Sequence, residues 1–185
     1  RAIKAINEGF TKYTPSSGTQ ELKCAIAKKL KNDNSVEYSP SQIVVSSGAK
    51  HSLYNVFQAI CDEGDEVIMP SPYWLSYPEM VKMAGARPVF IETKKENNFK
   101  ATEKELSKKI TKHTRAFILN SPSNPTGAVY DLDELKMIAK LAVKHEFYVV
   151  SDEIYEKLIY DGKKHISIAS LGKEIYGLTV TINGV

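Results

Sequence analysis

The chain has 185 residues, of which 42% are hydrophobic and 25% charged, and its net charge is +3. This length is sufficient for one well-packed core. The charge is too small to indicate a nucleic-acid partner, no apolar run approaches a membrane span, and the N-terminus lacks a signal-peptide pattern. We therefore expect neither nucleic acid nor a membrane as a partner.

The cysteines and histidines show no pattern typical of a metal site. Cys24 and Cys61 have no metal-binding or redox spacing, and the four histidines are scattered. Both cysteines fall in helical patterns, so we expect buried free thiols of a reducing compartment. The sequence therefore predicts a cytoplasmic protein without a metal centre.

Strand-like and helix-like patterns alternate along the chain. Each predicted strand is a short apolar run, and each predicted helix repeats apolar residues on one helical face. In order, they are a helix at 21–30, a strand at 43–45, a helix at 53–60, a strand at 66–69, a helix at 77–83 and a strand at 88–92. They continue with a helix within 97–112, a strand at 116–120, a helix at 131–146, a strand at 147–151 and a strand at 178–182. This alternation predicts an α/β fold, with a mainly parallel sheet of six strands and helices on both faces.

Both ends of the chain are abrupt. Residues 1–6 fit an amphipathic helix with no capping residue before it, and residues 183–185 come directly after a strand. Neither end resembles a natural terminal tail. We therefore expect the chain to be an excerpt of a longer one.

Small residues come after the first predicted strand, in Ser46-Ser47-Gly48-Ala49-Lys50. Free backbone N–H groups and the helix dipole suit a phosphate group at such a turn. A small-residue turn is purely structural at least as often, and this one has neither a Walker pattern nor a dinucleotide fingerprint. The residues alone leave both interpretations open.

The strand at 66–69 leads into a turn that contains Trp74, the single tryptophan of the chain. A lone tryptophan usually packs in a core or an interface. Its position just past a strand end also suits a platform for a cofactor ring. Both interpretations remain open at this point.

The strand at 116–120 is followed by a rigid turn with the sequence Ser121-Pro122-Ser123-Asn124-Pro125-Thr126-Gly127. Two prolines and a glycine can serve turn formation alone. Ligands of open α/β sheets, however, bind where strands end and helices begin. The prolines would hold Asn124, whose amide both donates and accepts hydrogen bonds. Asp131 and Glu134 predict a capped start for the next helix.

Asp152 comes after the strand at 147–151, and Tyr155 comes three residues later. An acid at this position commonly caps a helix or pairs with a surface charge. If a helical turn begins here, the acid and the phenol share a face and can reach one ligand. Right-handed crossovers would bring this turn to the same sheet edge as Lys50, Trp74 and Asn124. We predict a ligand site where the four turns meet.

Four strings carry a family resemblance. They begin at Tyr13, Pro70, Asn120 and Ser151, and they read Tyr-Thr-Pro-Ser-Ser-Gly, Pro-Ser-Pro-Tyr-Trp, Asn-Ser-Pro-Ser-Asn-Pro-Thr-Gly and Ser-Asp-Glu-Ile-Tyr. As a set they closely resemble the bacterial-type branch of the aspartate aminotransferase family, fold-type I enzymes that use pyridoxal 5′-phosphate (PLP). The resemblance implies that residues 1–185 are most of a PLP-binding large domain, incomplete at both ends.

The resemblance implies two groups of residues around the phosphate. Gly48, Ala49 and Lys50 would bind the PLP phosphate, and Lys50 is also a candidate contact for the distal carboxylate of a dicarboxylic substrate. Tyr13 would reach the phosphate of a neighbouring subunit's cofactor, which implies a homodimer.

Around the cofactor ring, the resemblance implies four further roles. Trp74 would stack on the ring and help to hold the substrate. Asn124 would contact the ring oxygen and the substrate α-carboxylate, with a cis bond often found at Asn124–Pro125. Asp152 would pair with the protonated ring nitrogen, and Tyr155 would donate to the ring oxygen.

The resemblance implies transamination between aspartate or a related amino acid and a 2-oxo acid such as 2-oxoglutarate. The family's Schiff-base lysine is expected just after Val185, so the chain contains no catalytic residue and we expect it to be inactive alone. A strand expected between 43–45 and 178–182, and a C-terminal small domain, are also absent from the sequence.

Three other functions stay open from the residues. The domain could bind PLP or an amino acid without catalysis, which the absence of a lysine after Val185 would favour. It could belong to another fold-type I enzyme, such as a carbon–sulfur lyase or a ring-forming synthase. A generic α/β phosphate-binding domain would not require the set of Trp74, Asn124, Asp152 and Tyr155.

Overall fold

The computed structural model describes residues 1–184 and contains one five-stranded parallel sheet with the strand order β2-β1-β3-β4-β5. The strands are β1 (Glu66–Ser71), β2 (Arg87–Glu92), β3 (Thr114–Asn120), β4 (Tyr148–Asp152) and β5 (Thr179–Ile182). The helices are α1 (Ala2–Asn7), α2 (Gln20–Asn34), α3 (Ala49–Ile60), α4 (Ser76–Met83), α5 (Glu103–Lys109), α6 (Leu132–His145) and α7 (Lys173–Gly177).

Helices cover both faces of the sheet because successive strand residues point to opposite sides. On β3, Ile118 packs with α3 and α4 residues such as Leu53, whereas Phe117 packs with α6 residues such as Leu135. All four of these side chains are buried. The predicted α/β class, with helices on both faces, is therefore confirmed.

The predicted strand at 43–45 is wrong. The short 3-10 turn Pro40–Gln42 precedes this segment, and Val44 is 66% exposed. The Val45 amide donates to the Ser17 carbonyl at 3.0 Å, and no described strand pairs with the segment. An apolar run forms a strand only where a neighbouring strand can pair with its backbone.

The other predicted elements are present with shifted ends. Helix α2 continues to Asn34, and α5 occupies only a part of the predicted range 97–112. Cys61 is buried as predicted, but Cys24 is exposed, because it lies on the outer side of α2. In the described residues, no helix combines the length and the apolar character that crossing a membrane requires.

The predicted cap of α6 is confirmed. The Asp131 carboxylate accepts hydrogen bonds from the amides of Asp133 (3.1 Å) and Glu134 (3.0 Å), and the Glu134 carboxylate accepts one from the Asp131 amide (2.8 Å). These bonds satisfy backbone groups that have no partner inside the helix.

We expect Asp131→Ala to lower the free energy of unfolding by about 1 kcal/mol, since the α6 amides lose their acceptor. Asp131→Ser is the matched control: it also removes the charge but keeps a capping oxygen. Urea unfolding measures both. Equal losses in the two variants would show that the charge, and not the cap, stabilises the helix.

Candidate functional site

The carboxyl ends of the parallel strands meet at one edge of the sheet. Asn120, the last residue of β3, lies opposite Asp152, the last residue of β4, and Asp152 lies opposite Ile182 of β5. The turn after β1 reaches the same edge. Such an edge is where α/β sheets bind ligands.

Asp152 is a buried carboxylic acid at this edge. It is 3% exposed and accepts hydrogen bonds from the Tyr77 hydroxyl at 2.5 Å and from the Ile154 amide at 3.3 Å. Burial raises the pKa of Asp152, and the neighbouring Glu153 charge raises it further, while the two hydrogen bonds oppose that rise. The site therefore holds a carboxylate that gains from an additional positive partner.

The strand-end amides fix the turn that carries Asn124. The Asn120 side chain donates to the Asp152 carbonyl at 3.1 Å and accepts from the Asn124 amide at 2.7 Å. The Ser121 amide donates to the same carbonyl at 3.2 Å, and the Asn124–Pro125 bond is cis. The Asn124 side chain has no hydrogen-bond partner among the described residues, and it lines a pocket with Asn120 and Tyr77.

Trp74, in the turn after β1, contacts one residue of α3 and one residue of α4. Its ring is half-buried and packs edge-on against Tyr77, with 5.4 Å between the centroids. The Lys50 ammonium lies 5.0 Å from the centroid of the Trp74 ring. A continuous series of contacts therefore runs from Lys50 through Trp74 and Tyr77 to Asp152.

The N-terminus of α3 forms an open backbone turn. Gly48 caps the helix with a φ of 87°, a backbone conformation that residues with a side chain rarely adopt. No atom lies close to the position that a Cβ of this residue would occupy. Lys50 and Ala49 begin a helix of 12 residues, so the amides of its first turn have no acceptor inside the helix. This geometry suits an anion.

The two remaining tyrosines differ in placement. Tyr155 is half-buried in the turn after β4 and lies close enough to Tyr77 to contribute to its raised pKa, after burial and the Asp152 charge. The segment after Asp152 is a series of turns and not the helical turn that the spacing suggested. Tyr13 is fully exposed in the loop before α2 and contacts none of the other predicted residues.

The sequence interpretation missed Tyr77 and Asn120. Tyr77 is 75 positions from Asp152 in sequence, and its hydroxyl is the closest donor to that carboxylate. The one available indication was its spacing of three residues from Trp74, which places both rings at the start of α4. Asn120 was identified as the end of a strand and the start of a resemblance string, but no role in the site was assigned to it.

These features define the class of protein: a parallel α/β domain with a buried acid, an aromatic ring and an open helix N-terminus at one sheet edge. The family model for aminotransferase class I and II matches residues 1–184. The chain belongs to this family.

Comparison with known proteins gives the same result. The aspartate aminotransferase of Bacillus subtilis (strain 168) is 55% identical over 184 residues, which cover 100% of this chain and 47% of that protein. A structure of the Thermus thermophilus aspartate aminotransferase with maleate superposes with a TM-score of 0.93 at 46% identity, covering 99% of this chain and 47% of that one. An aromatic aminotransferase from Pyrococcus horikoshii OT3 gives 0.95 at 43% identity, with coverages of 99% and 49%. The chain spans about half the length of the curated relatives it matches.

We expect Tyr77→Phe to raise the pKa of Asp152 further in the cofactor-free protein, because the carboxylate loses a hydrogen bond that opposes its rise. A folded pKa above the unfolded one means that the folded state binds more protons. The stability contributed by Asp152 is therefore greatest at low pH and falls as pH rises through the folded pKa; the variant extends that fall to higher pH.

NMR titration of ¹³C-labelled aspartate carboxyls in the full-length protein measures this change. Tyr73→Phe is the matched control, since Tyr73 stacks on Phe90 and makes no hydrogen bond to Asp152. An unchanged or lower Asp152 pKa in Tyr77→Phe would contradict the prediction.

Proposed function

We propose that the full-length protein is a PLP-dependent aminotransferase that moves an amino group between aspartate, or a related amino acid, and a 2-oxo acid such as 2-oxoglutarate. The observation that supports this proposal most is the buried Asp152 carboxylate, which Tyr77 connects to Trp74. Through its backbone carbonyl, Asp152 is also connected by Asn120 to the turn that carries Asn124. Membership of the aminotransferase family agrees with it.

The residues at the sheet edge fit PLP. The Asp152 carboxylate accepts its two hydrogen bonds from neutral groups, the Tyr77 hydroxyl and the Ile154 amide, so it suits a protonated ring nitrogen as a cationic partner. The open α3 N-terminus, with Gly48, Ala49 and Lys50, suits a phosphate. Trp74 would lie against the ring. When bound, PLP acts as an electron sink for the bonds to the substrate α-carbon.

Side chains at this edge of the sheet would orient the cofactor and set the protonation state of its ring nitrogen. Asp152 would keep the ring nitrogen protonated, because the ion pair favours the charged form of both partners. Tyr77, whose pKa is raised by burial and by Asp152, stays a hydrogen-bond donor and holds one carboxylate oxygen in place. Asn124 and Tyr155 would donate to the ring oxygen.

The substrate side of the site would be formed by Lys50, Trp74 and Asn124. The Asn124 side-chain carboxamide, which has no hydrogen-bond partner among the described residues, would bind an α-carboxylate, and the Lys50 ammonium at the Trp74 ring would bind a distal carboxylate. The Thermus relative binds maleate, a dicarboxylate, whereas the Pyrococcus relative is an aromatic aminotransferase. We favour the acidic substrate because Lys50 supplies the required charge.

We further propose that residues 1–185 form most of the PLP-binding large domain of a cytoplasmic homodimer. The lysine that binds PLP covalently is expected just after Val185, and Val185 itself lies outside the described residues. The full exposure of Tyr13 agrees with a contact to a neighbouring subunit's cofactor. Activity would then belong to the longer, dimeric protein.

The experiment is borohydride reduction of the full-length protein with PLP, followed by intact-mass measurement and a transamination assay. A reduced adduct on a lysine after residue 185, together with amino transfer from aspartate to 2-oxoglutarate, is the expected result. An adduct without amino transfer would favour another fold-type I enzyme, such as a carbon–sulfur lyase. A protein without an adduct would favour a non-catalytic binding domain.

Asp152→Asn should lower kcat/KM for aspartate by about 10²- to 10³-fold, the effect expected when one partner of a buried ion pair is removed. The amide cannot carry the charge that keeps the ring nitrogen protonated. Asp133→Asn, an exposed change on α6, is the control. Steady-state kinetics measure both, and wild-type activity in Asp152→Asn would exclude the proposed role.

Lys50→Gln should lower kcat/KM for aspartate by about 10- to 100-fold, since a hydrogen bond between charged groups is lost, and leave that for phenylalanine unchanged. Glutamine keeps the backbone amide for the phosphate. Lys82→Gln, at an exposed pair with Glu79, is the control. Equal losses with both substrates would mean that Lys50 serves the cofactor and not substrate selection.

A further inference from the structure

Two buried carboxylates lie in the turn that follows Asp152 and have no role in the chemistry proposed above. Glu153 and Glu156 come after Asp152 in the turn that leaves β4, and they are 1% and 9% exposed. Buried charges of this kind are costly unless they are paired and hydrogen-bonded. Their partners therefore indicate what they hold in place.

Glu156 joins helix α2 to the end of β5. Its carboxylate forms an ion pair with Lys29, and it accepts hydrogen bonds from the side chains of Asn34 (2.6 Å) and Asn183 (2.9 Å). Lys29 also donates to the Asn183 carboxamide oxygen at 3.2 Å and to Asn34 at 2.8 Å. Burial raises the pKa of Glu156, but the hydrogen bonds from Lys29, Asn34 and Asn183 outweigh it and lower the pKa to about 2.

Glu153 fixes the other side of the same turn. It accepts hydrogen bonds from the hydroxyls of Ser151 (3.0 Å) and Ser167 (2.7 Å) and from the side-chain nitrogen of Asn34 (3.1 Å). His165 Nε2 lies 2.8 Å from its second oxygen. The side-chain nitrogen of Asn34 thus bridges both carboxylates.

Glu153, Glu156 and His165 offer ligand atoms within 4.8 Å of one another, a spacing that could hold a metal ion. The Lys29 ammonium already supplies a cation to Glu156, and Asn34 donates to both carboxylates. The contacts therefore favour a hydrogen-bonded clamp over a metal site.

We propose that Glu156, Lys29 and Asn34 form a clamp on the Asn183 carboxamide that positions the backbone leaving β5. Both ends of this carboxamide are held, its nitrogen by Glu156 and its oxygen by Lys29. The Gly184 amide also donates to the Asn183 oxygen, at 2.9 Å, so the clamp extends to the next peptide unit.

The clamp bears on function because it holds the backbone directly before the expected position of the catalytic lysine. Under the proposed function, on which this inference rests, that lysine comes just after Val185 and binds PLP. Reaction rates depend steeply on the placement of reacting groups, and a displacement of about 1 Å can cost about 100-fold. Glu156 and Asn183 are thus positioning residues, which act on the lysine through the backbone.

Two variants of the full-length protein test the clamp. Glu156→Gln keeps the shape but has one acceptor oxygen in place of two, so its amide nitrogen faces other donors. Asn183→Ala removes the held group and leaves Lys29, Asn34 and Glu156 together. Glu37→Gln is the matched control, because it makes the same change of side chain and Glu37 pairs with Lys31 of α2 at the surface.

The first readout is hydrogen–deuterium exchange of the cofactor-free protein over the peptide that contains residues 183 and 184. The second is the pH midpoint of the absorbance change of bound PLP, which reports the surroundings of the lysine. We expect about tenfold faster exchange in both variants and a midpoint moved by about one unit or less, the size expected from one or two hydrogen bonds. The double variant should show no further change, because both substitutions disrupt the same contact.

Glu37→Gln should leave both readouts at wild-type values. Additive changes in the double variant, or a lower melting temperature with unchanged exchange and midpoint, would overturn the clamp in favour of a merely structural network. A wild-type protein that forms no lysine adduct would overturn the proposed function itself, and with it the positioning role. That outcome is distinguished from failure of the clamp because it occurs without any substitution.

Discussion

The structure depends on one constraint: an ionisable carboxylate, Asp152, is buried at the end of a central strand. Strand β4 lies between β3 and β5, and the side chain at its carboxyl end is buried and hydrogen-bonded to Tyr77 of α4. Two hydrogen bonds lower the cost of that burial without removing it, and the pKa of Asp152 stays raised. A cationic ligand at this position would relieve the remaining cost, so the same constraint that reduces stability favours binding.

The rest of the fold positions groups around this carboxylate. Parallel pairing places the turns after β1, β3 and β4 at one edge, and apolar residues on both faces of the strands hold the helices that deliver Tyr77 and Lys50. The turn after Asp152 is fixed from behind by Glu153 and Glu156. The site is thus supported by rigid elements on several sides, which suits a reaction that depends on orientation.

The sequence predicted what local patterns determine. The parallel sheet, the helices on both faces, the capped start at Asp131 and the placement of Trp74 and Asn124 at strand ends all derive from periodicity and turn chemistry. The strand at 43–45 was wrong because pairing requires a neighbour that local sequence does not reveal. The contacts of Tyr77 and Glu156 were missed for a similar reason: their partners are 75 and 127 positions away.

The most direct test of the central claim is the ¹⁵N NMR chemical shift of ring-labelled PLP bound to the full-length protein. If Asp152 pairs with the ring nitrogen, the shift will be that of a protonated pyridine across the neutral pH range, well above the pH at which free PLP loses this proton. A shift typical of a neutral ring nitrogen at neutral pH would contradict the account. The buried carboxylate would then need another partner, and the proposed assignment of the site would fail.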